Sequence, residues 1–160
     1  MDLSRTKHFI FHVSILDYSS GVWGYKKYLA SDNIQNRAMR YFLGVHHFAP
    51  LLAIYGDMGW IPSQFRRWIN MVRYWNRPIL FNDDRITKMV FNMDYMRCSN
   101  NWCSDLKDVL TKLNLTQYFE RKTVFSLHTV ESHARNYYCR LWKDDVKNVS
   151  KLKNYVTFKT

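Results

Sequence analysis

Glycine, proline and cysteine are all rare here: five, three and three residues in a chain of 160. So few prolines leave long stretches without a helix breaker, and so few glycines leave few positions suited to tight turns. No low-complexity linker stands out, and no segment repeats another. Strict alternation of apolar and polar residues, the mark of half-buried strands, is scarce as well. Three cysteines are an odd number with no regular framework, which argues for a reducing compartment. No apolar run approaches the roughly 18 residues that a membrane-crossing helix needs. Arg5 and Lys7 ahead of FIFHVSIL imitate a signal peptide only faintly, because His12 interrupts the run and no small-residue cleavage site follows. The expectation is an intracellular protein, nuclear or cytoplasmic, with no membrane partner. Two sequons, beginning at Asn114 and Asn148, are then chance matches.

What is present is aromatic and basic. Six Trp, eleven Tyr and ten Phe allow a core to be built from few positions, because each buries a large area. The net charge is +11 and the sequence pI about 9.7. Residues 1–80 hold 10 Lys/Arg against 4 Asp/Glu, and residues 81–160 hold 14 against 9, so no single tail carries the excess. A basic surface spread over a folded domain suits a partner that is a polyanion, RNA or DNA.

Helical spacing recurs along the chain, which predicts an all-α fold: an irregular bundle of about six to seven helices in a single domain over residues 1–147, followed by a loosely held basic tail, 148–160. A first helix is expected over about Ser4 to Tyr18. A second spans Ser31 to Val45, with Ser31 and Asp32 offering cap oxygens and with Ile34, Ala38, Phe42 and Val45 inward, widened by Met39 and Leu43. A short helix starts at Pro50 and stops at Gly56. The clearest periodicity begins at Pro62: Ile61, Phe65, Trp68, Ile69, Val72 and Trp75 form one stripe, and Pro78 ends or kinks the helix. Asp83 and Asp84 begin another helix through about Tyr95, with Ile86, Met89, Val90 and Met93 inward. Asn100 or Asn101 caps one that runs to Leu113, Thr116 to Arg121 adds a turn, and a last helix covers about Ser126 to Lys147.

Three constellations could carry chemistry. Phe81-Asn82-Asp83-Asp84 resembles the turn that holds paired carboxylates around two magnesium ions in polymerases. That turn joins two strands, whereas the flanking segments here read as helix, where acidic residues in a first turn simply favour the dipole. Cys98, Cys103, His128 and His133 are of the right types for zinc. However, the two histidines stand five positions apart, about 140° around a helix, and buried thiols with surface imidazoles account for the same residues. Cys139 lies in an aromatic helix and reads as core, and no Gly-x-Ser-x-Gly elbow or Gly-rich phosphate loop exists. No catalytic residue, metal ligand or cofactor is therefore assigned. The remaining candidate is a binding face: Arg66, Arg67, Arg73 and Arg77 opposite the Trp68/Trp75 stripe, joined by Arg37 and Arg40, for phosphate contact. Tyr41 or Tyr74 could stack on an unpaired base. Trp60, Trp68, Trp75 and Trp102 read as core.

The order of several motifs adds a resemblance. ILDYSSGVWG from Ile15, IQNRAMRYFLGVH from Ile34, GDMGW from Gly56, RRWINMVRYWNR from Arg66, DDRITK from Asp83 and NNWCSDL from Asn100 follow one another as in the region C-terminal to the polymerase palm of non-LTR, LINE-like retrotransposon reverse transcriptases. The match thins after about Asn114. Ser14 stands where that family has Pro before the ILDY element, and Pro78 stands where it has an ordinary helix residue. The resemblance implies a helical, thumb-like and post-thumb region that grips template-primer or element RNA beside an upstream polymerase domain. Fingers and palm are missing from this chain, so the implied fragment is truncated and without polymerase activity of its own. The alternative is a small helical protein-interaction domain whose basic face is incidental.

Overall fold

The trunk of one part of the molecule is a helix built around Trp75. A computed structural model describes Ile15, residues 17–152 and residues 154–155, and among these residues every regular element is helical, with no strand. The elements are α1 (Ser20–Trp23), α2 (Leu29–Leu43), α3 (Leu51–Met58), α4 (Ser63–Ile79), α5 (Ile86–Arg97), α6 (Trp102–Lys112), α7 (Thr116–Glu120), α8 (Leu127–Lys147) and a 3₁₀ turn at Ser150–Leu152. The all-α expectation holds. The described residues divide into two compact units: one comprises residues 19–27 and 64–137, the other Ile15, Asp17, Tyr18 and residues 28–63, 138–152 and 154–155. The helix expected over Ser4 to Tyr18 lies outside the described residues apart from Ile15, Asp17 and Tyr18; the last two sit in a turn.

In the unit of residues 19–27 and 64–137, the stripe read from α4 is buried as expected. Phe65, Trp68, Ile69, Val72 and Trp75 are all inside, joined by Met71. Trp75 has no exposed surface and meets Phe91 and Phe119 at ring-centroid distances of 5.0 Å each, and Tyr95 at 5.9 Å. Its indole Nε1 donates to the Thr123 carbonyl at 3.0 Å, so the one polar atom of a large side chain is satisfied inside the core. Below it α5 packs on α6 and α6 on α7, with Leu106, Val109, Leu110, Leu113 and Leu115 filling the space. Asn101 caps α6 through a reciprocal box: its side-chain oxygen accepts from the Ser104 amide at 3.0 Å, and its own amide donates to Ser104 Oγ at 3.1 Å. Pro78 lies in the last turn of α4, which ends one residue later, at Ile79.

The short helix α1 explains the first glycine pair. A Cβ on Gly21 would lie 2.8 Å from Tyr74 Cβ, and one on Gly24 would lie 2.7 Å from Arg67 Cβ. The missing side chains let α1 lie directly on α4. Asn70 Nδ2 donates to Ser20 Oγ at 2.8 Å across the same seam.

The α5 expectation is overturned. Ile86, Met89, Val90 and Met93 point outward, 79%, 50%, 52% and 68% exposed, while Lys88 and Phe91 are buried. The cause is lysine's double nature: its aliphatic stem packs inward, and Nζ donates to the Ile79 carbonyl at 2.9 Å, at the C-terminus of α4, where a cation is favoured. Asp83 and Asp84 lie in a turn ahead of the helix, and its cap is Arg85, without a side-chain cap bond.

In the other unit, α2 and α3 pack together around Met39, Ile54 and Tyr55. The inward face of α2 is largely polar: Ser31, Asp32, Gln35 and Asn36 are buried with Met39, while Ile34, Leu43 and Val45 are exposed. The expected stripe is therefore rotated by about one residue. Asp32, Gln35 and Asn36 each have a partner: Ser63 Oγ donates to Asp32 Oδ1 at 2.6 Å, Gln35 Nε2 to the Ile61 carbonyl at 2.9 Å, and the Tyr55 hydroxyl to Asn36 Oδ1 at 2.9 Å. Ser31 and Asp32 do not cap α2; the cap position falls on Tyr28, three residues before Ser31 and without a side-chain cap bond, and Gly44 closes the helix. Gly56 does not end α3 either. It lies inside the helix, where a Cβ would come within 2.6 Å of Tyr155 Oη and 2.8 Å of Trp142 Cζ2. Gly59, at φ 62°, provides the stop. The tail is held as far as it is described: Leu152 is buried, and the Tyr155 hydroxyl lies 3.0 Å from the Ala53 carbonyl and 2.8 Å from Asp57 Oδ1.

Candidate nucleic-acid interface

An α-helix advances 100° per residue, so Arg66, Asn70, Arg73 and Arg77 fall within about 60° of one another on α4, on the side away from the Trp68/Trp75 stripe. They span roughly 16 Å along the axis. Arg73 and Arg77 are exposed and Arg66 is half-buried. Arg73 Nη1 donates to Asn70 Oδ1 at 2.9 Å, which steadies the guanidinium without neutralising it. Neither Arg73 nor Arg77 holds a carboxylate within ion-pair distance among the described residues.

Arg67 departs from the face on which sequence spacing put it. It is fully buried, its guanidinium 5.7 Å from the centroid of the Trp23 ring, with Nη2 3.5 Å from the Lys26 carbonyl. Placed there it ties residues 23–26 to α4 and cannot reach a phosphate. Tyr74 is half-buried, edge-on to Trp102 at 5.4 Å and 82°, so it offers no stacking platform. Trp60 and Trp102 are half-buried and Trp68 and Trp75 buried.

Arg37 and Arg40 belong to the other unit. Arg37 is exposed on α2, Arg40 is half-buried and its Nη2 donates to the Ala49 carbonyl at 3.3 Å. Tyr41 is 63% exposed. The six arginines thus fall into separate sets, Arg66, Arg67, Arg73 and Arg77 in one unit and Arg37 and Arg40 in the other. Reading by helix face alone passed over Lys26 and Lys27, an exposed pair whose backbone runs beside α4 at Arg67. Their adjacency just after the ILDYSSGVWG element was the available signal.

No protein-family model, curated protein or solved structure matches this chain.

Several other ionisable groups serve the fold. Asp108 accepts from the Tyr25 hydroxyl at 2.8 Å and is ion-paired with Lys112. Burial pushes the Asp108 carboxyl up, but the hydrogen bonds from Lys112 and Tyr25 outweigh it and hold the group below the usual carboxylate range. Lys122 Nζ donates to Asn92 Oδ1 at 2.6 Å and lies 4.8 Å from the Tyr95 ring centroid; burial lowers its pKa, and Lys88 adds to the effect. Among the described residues no three His, Cys, Asp or Glu side chains gather into a metal-holding set. Cys103 is buried and its thiol is pushed up to about 12, chiefly by desolvation, so it is neither a ready thiolate ligand nor a nucleophile. His133 Nδ1 lies 2.8 Å from the Leu113 carbonyl, and His128 is exposed. Asp83 and Asp84 stand exposed in their turn. Among the described residues no helix is long and apolar enough to cross a membrane.

Proposed function

We propose that this chain is a non-catalytic helical fragment similar to the post-palm region of a non-LTR retrotransposon reverse transcriptase, and that it binds template-primer or element RNA through the outer face of α4. The order and spacing of the motifs from Ile15 to Leu106 support the family reading. The observation that carries the binding reading is the exposed pair Arg73 and Arg77, set on one line with Arg66 in a chain of net charge +11. Guanidinium groups one and two turns apart on a helix suit successive phosphates of a single strand or of a groove edge. Arg37 supplies a further exposed cation on α2, and Lys26 and Lys27 extend the basic surface of the α4 unit. The pattern of charge and aromatic burial fits holding a polyanion, and the intracellular setting, nuclear or cytoplasmic, follows from the same reading.

The test is a titration of single-stranded RNA against the full chain over a range of salt. Three phosphate contacts give a slope of log K against log salt of about −2. Arg73→Gln with Arg77→Gln should weaken binding at least tenfold and flatten that slope toward about −1. Salt-independent binding, or none, would overturn the reading. Primer extension by the chain alone should yield no product.

A second reading, a helical protein-interaction domain, draws on one specific observation: the apolar side chains on the outer face of α5. An apolar docking face responds little to the same salt series.

A further inference from the structure

The helix α5 is apolar on two sides. Phe91 is buried and Tyr95 half-buried on the inner side, where both meet the Trp75 cluster. The outer side carries Ile86 at 79% exposure, Met89 at 50%, Val90 at 52%, Met93 at 68% and Met96 at 79%. At 100° per residue these five fall within about 120° of arc, centred near Met93, with Arg97 inside the same arc. A continuous apolar stripe of this kind on the outside of a basic, charged chain marks an interaction face, and methionine's flexible side chain suits a surface that must pack against another.

Two features of the stripe indicate what covers it. First, four of its five residues are spaced symmetrically about position 91: Ile86 and Met96 lie equally far from it, as do Met89 and Met93, while Val90 fills in beside them. Two copies of α5 laid antiparallel across a two-fold axis at that point set Ile86 against Met96 and Met89 against Met93. Second, the ends are of opposite charge. Exposed Asp83 and Asp84 precede the helix, and exposed Arg97 closes it. The antiparallel pairing brings the carboxylates of each copy to the Arg97 of the other, at both ends at once. Arg85 keeps its positive charge, with its guanidinium 4.6 Å from the centroid of its own Phe81 ring, so the end formed by Asp83, Asp84 and Arg85 meets Arg97 with a net charge of −1. We infer that the outer face of α5 is a homodimer interface, with a second copy of this chain as its occupant, packed antiparallel through Ile86, Met89, Val90, Met93 and Met96. This inference stands apart from nucleic-acid binding, which uses α4.

Sedimentation velocity on the nuclease-treated full chain, from about 1 to 100 μM, tests it. The wild type should sediment with a weight-average mass that rises from monomer toward dimer. Met93→Lys, at the centre of the stripe and exposed, should abolish the rise while the circular dichroism and melting curve stay as in the wild type. Asp84→Lys and Arg97→Glu should each weaken association at least tenfold, because each sets like charges together twice, and the double variant should regain it. A wild type that stays monomeric throughout would overturn the inference. So would a dimer that survives Met93→Lys, or charge reversals whose effects simply add in the double variant. If Met93→Lys itself melts early, the charge-reversal pair decides the question alone.

Discussion

The indole nitrogen of Trp102 donates to the carbonyl of Gly21 at 2.7 Å, joining residues 81 positions apart. Gly21 is buried, so this carbonyl has little access to water that could replace the indole. Trp102→Phe should cost about 1–3 kcal/mol, measured by urea denaturation. Gly21→Ala should cost a similar amount for a different reason, because its new methyl would stand 2.8 Å from Tyr74 Cβ and 3.0 Å from the Asn70 carbonyl.

Tyr55 and Asn36 form a buried pair that should behave as one unit. Asn36→Leu removes the acceptor and strands the Tyr55 hydroxyl, costing about 1–3 kcal/mol. With Tyr55→Phe already in place the stranded group is gone, so the double variant should be less damaged than the two single effects predict, by about 1 kcal/mol. Additivity in the four-corner denaturation cycle would refute the pairing.

Two arginines on neighbouring sides of α4 should separate stability from binding. Arg67→Ala empties a fully buried site over Trp23 and should cost roughly 2–4 kcal/mol of stability. Arg73→Ala should leave stability within about 0.5 kcal/mol while weakening RNA binding. A melting curve and a salt titration on each variant read both effects.

The Cys103 thiol gives the pH dependence a sign. Its ordinary value is 9.0, and burial pushes it up to about 12, so the folded state favours the neutral thiol. That contribution is complete below about pH 9 and is lost as pH rises toward 12. In this window the unfolding free energy of the wild type should fall more steeply than that of Cys103→Ala, by at most about 1.4 kcal/mol per pH unit. Parallel curves for the two proteins would show that Cys103 is not protected.

How far the fold was legible depended on which side chains each helix buries. On α4 the inward residues are large and apolar, and their spacing gave the stripe and its burial directly. On α5 and α2 the inward residues include Lys88, Asp32, Gln35 and Asn36, which a count of apolar residues assigns to solvent. Their burial depends on the Ile79 carbonyl, Ser63, the Ile61 carbonyl and Tyr55, partners that only the folded chain brings near. The candidate site followed the same division. Arg73 and Arg77 stand on the expected face, whereas the burial of Arg67 depends on Trp23 and on the close approach that Gly24 allows.

The polar inward side of α2 also inverts the usual map of what that helix tolerates. Ile34 and Leu43 face water and should accept lysine or glutamate readily, while Asp32, Gln35 and Asn36 should reject leucine. A designer who repainted this segment by hydropathy, greasy toward the middle and wet toward the outside, would turn it inside out.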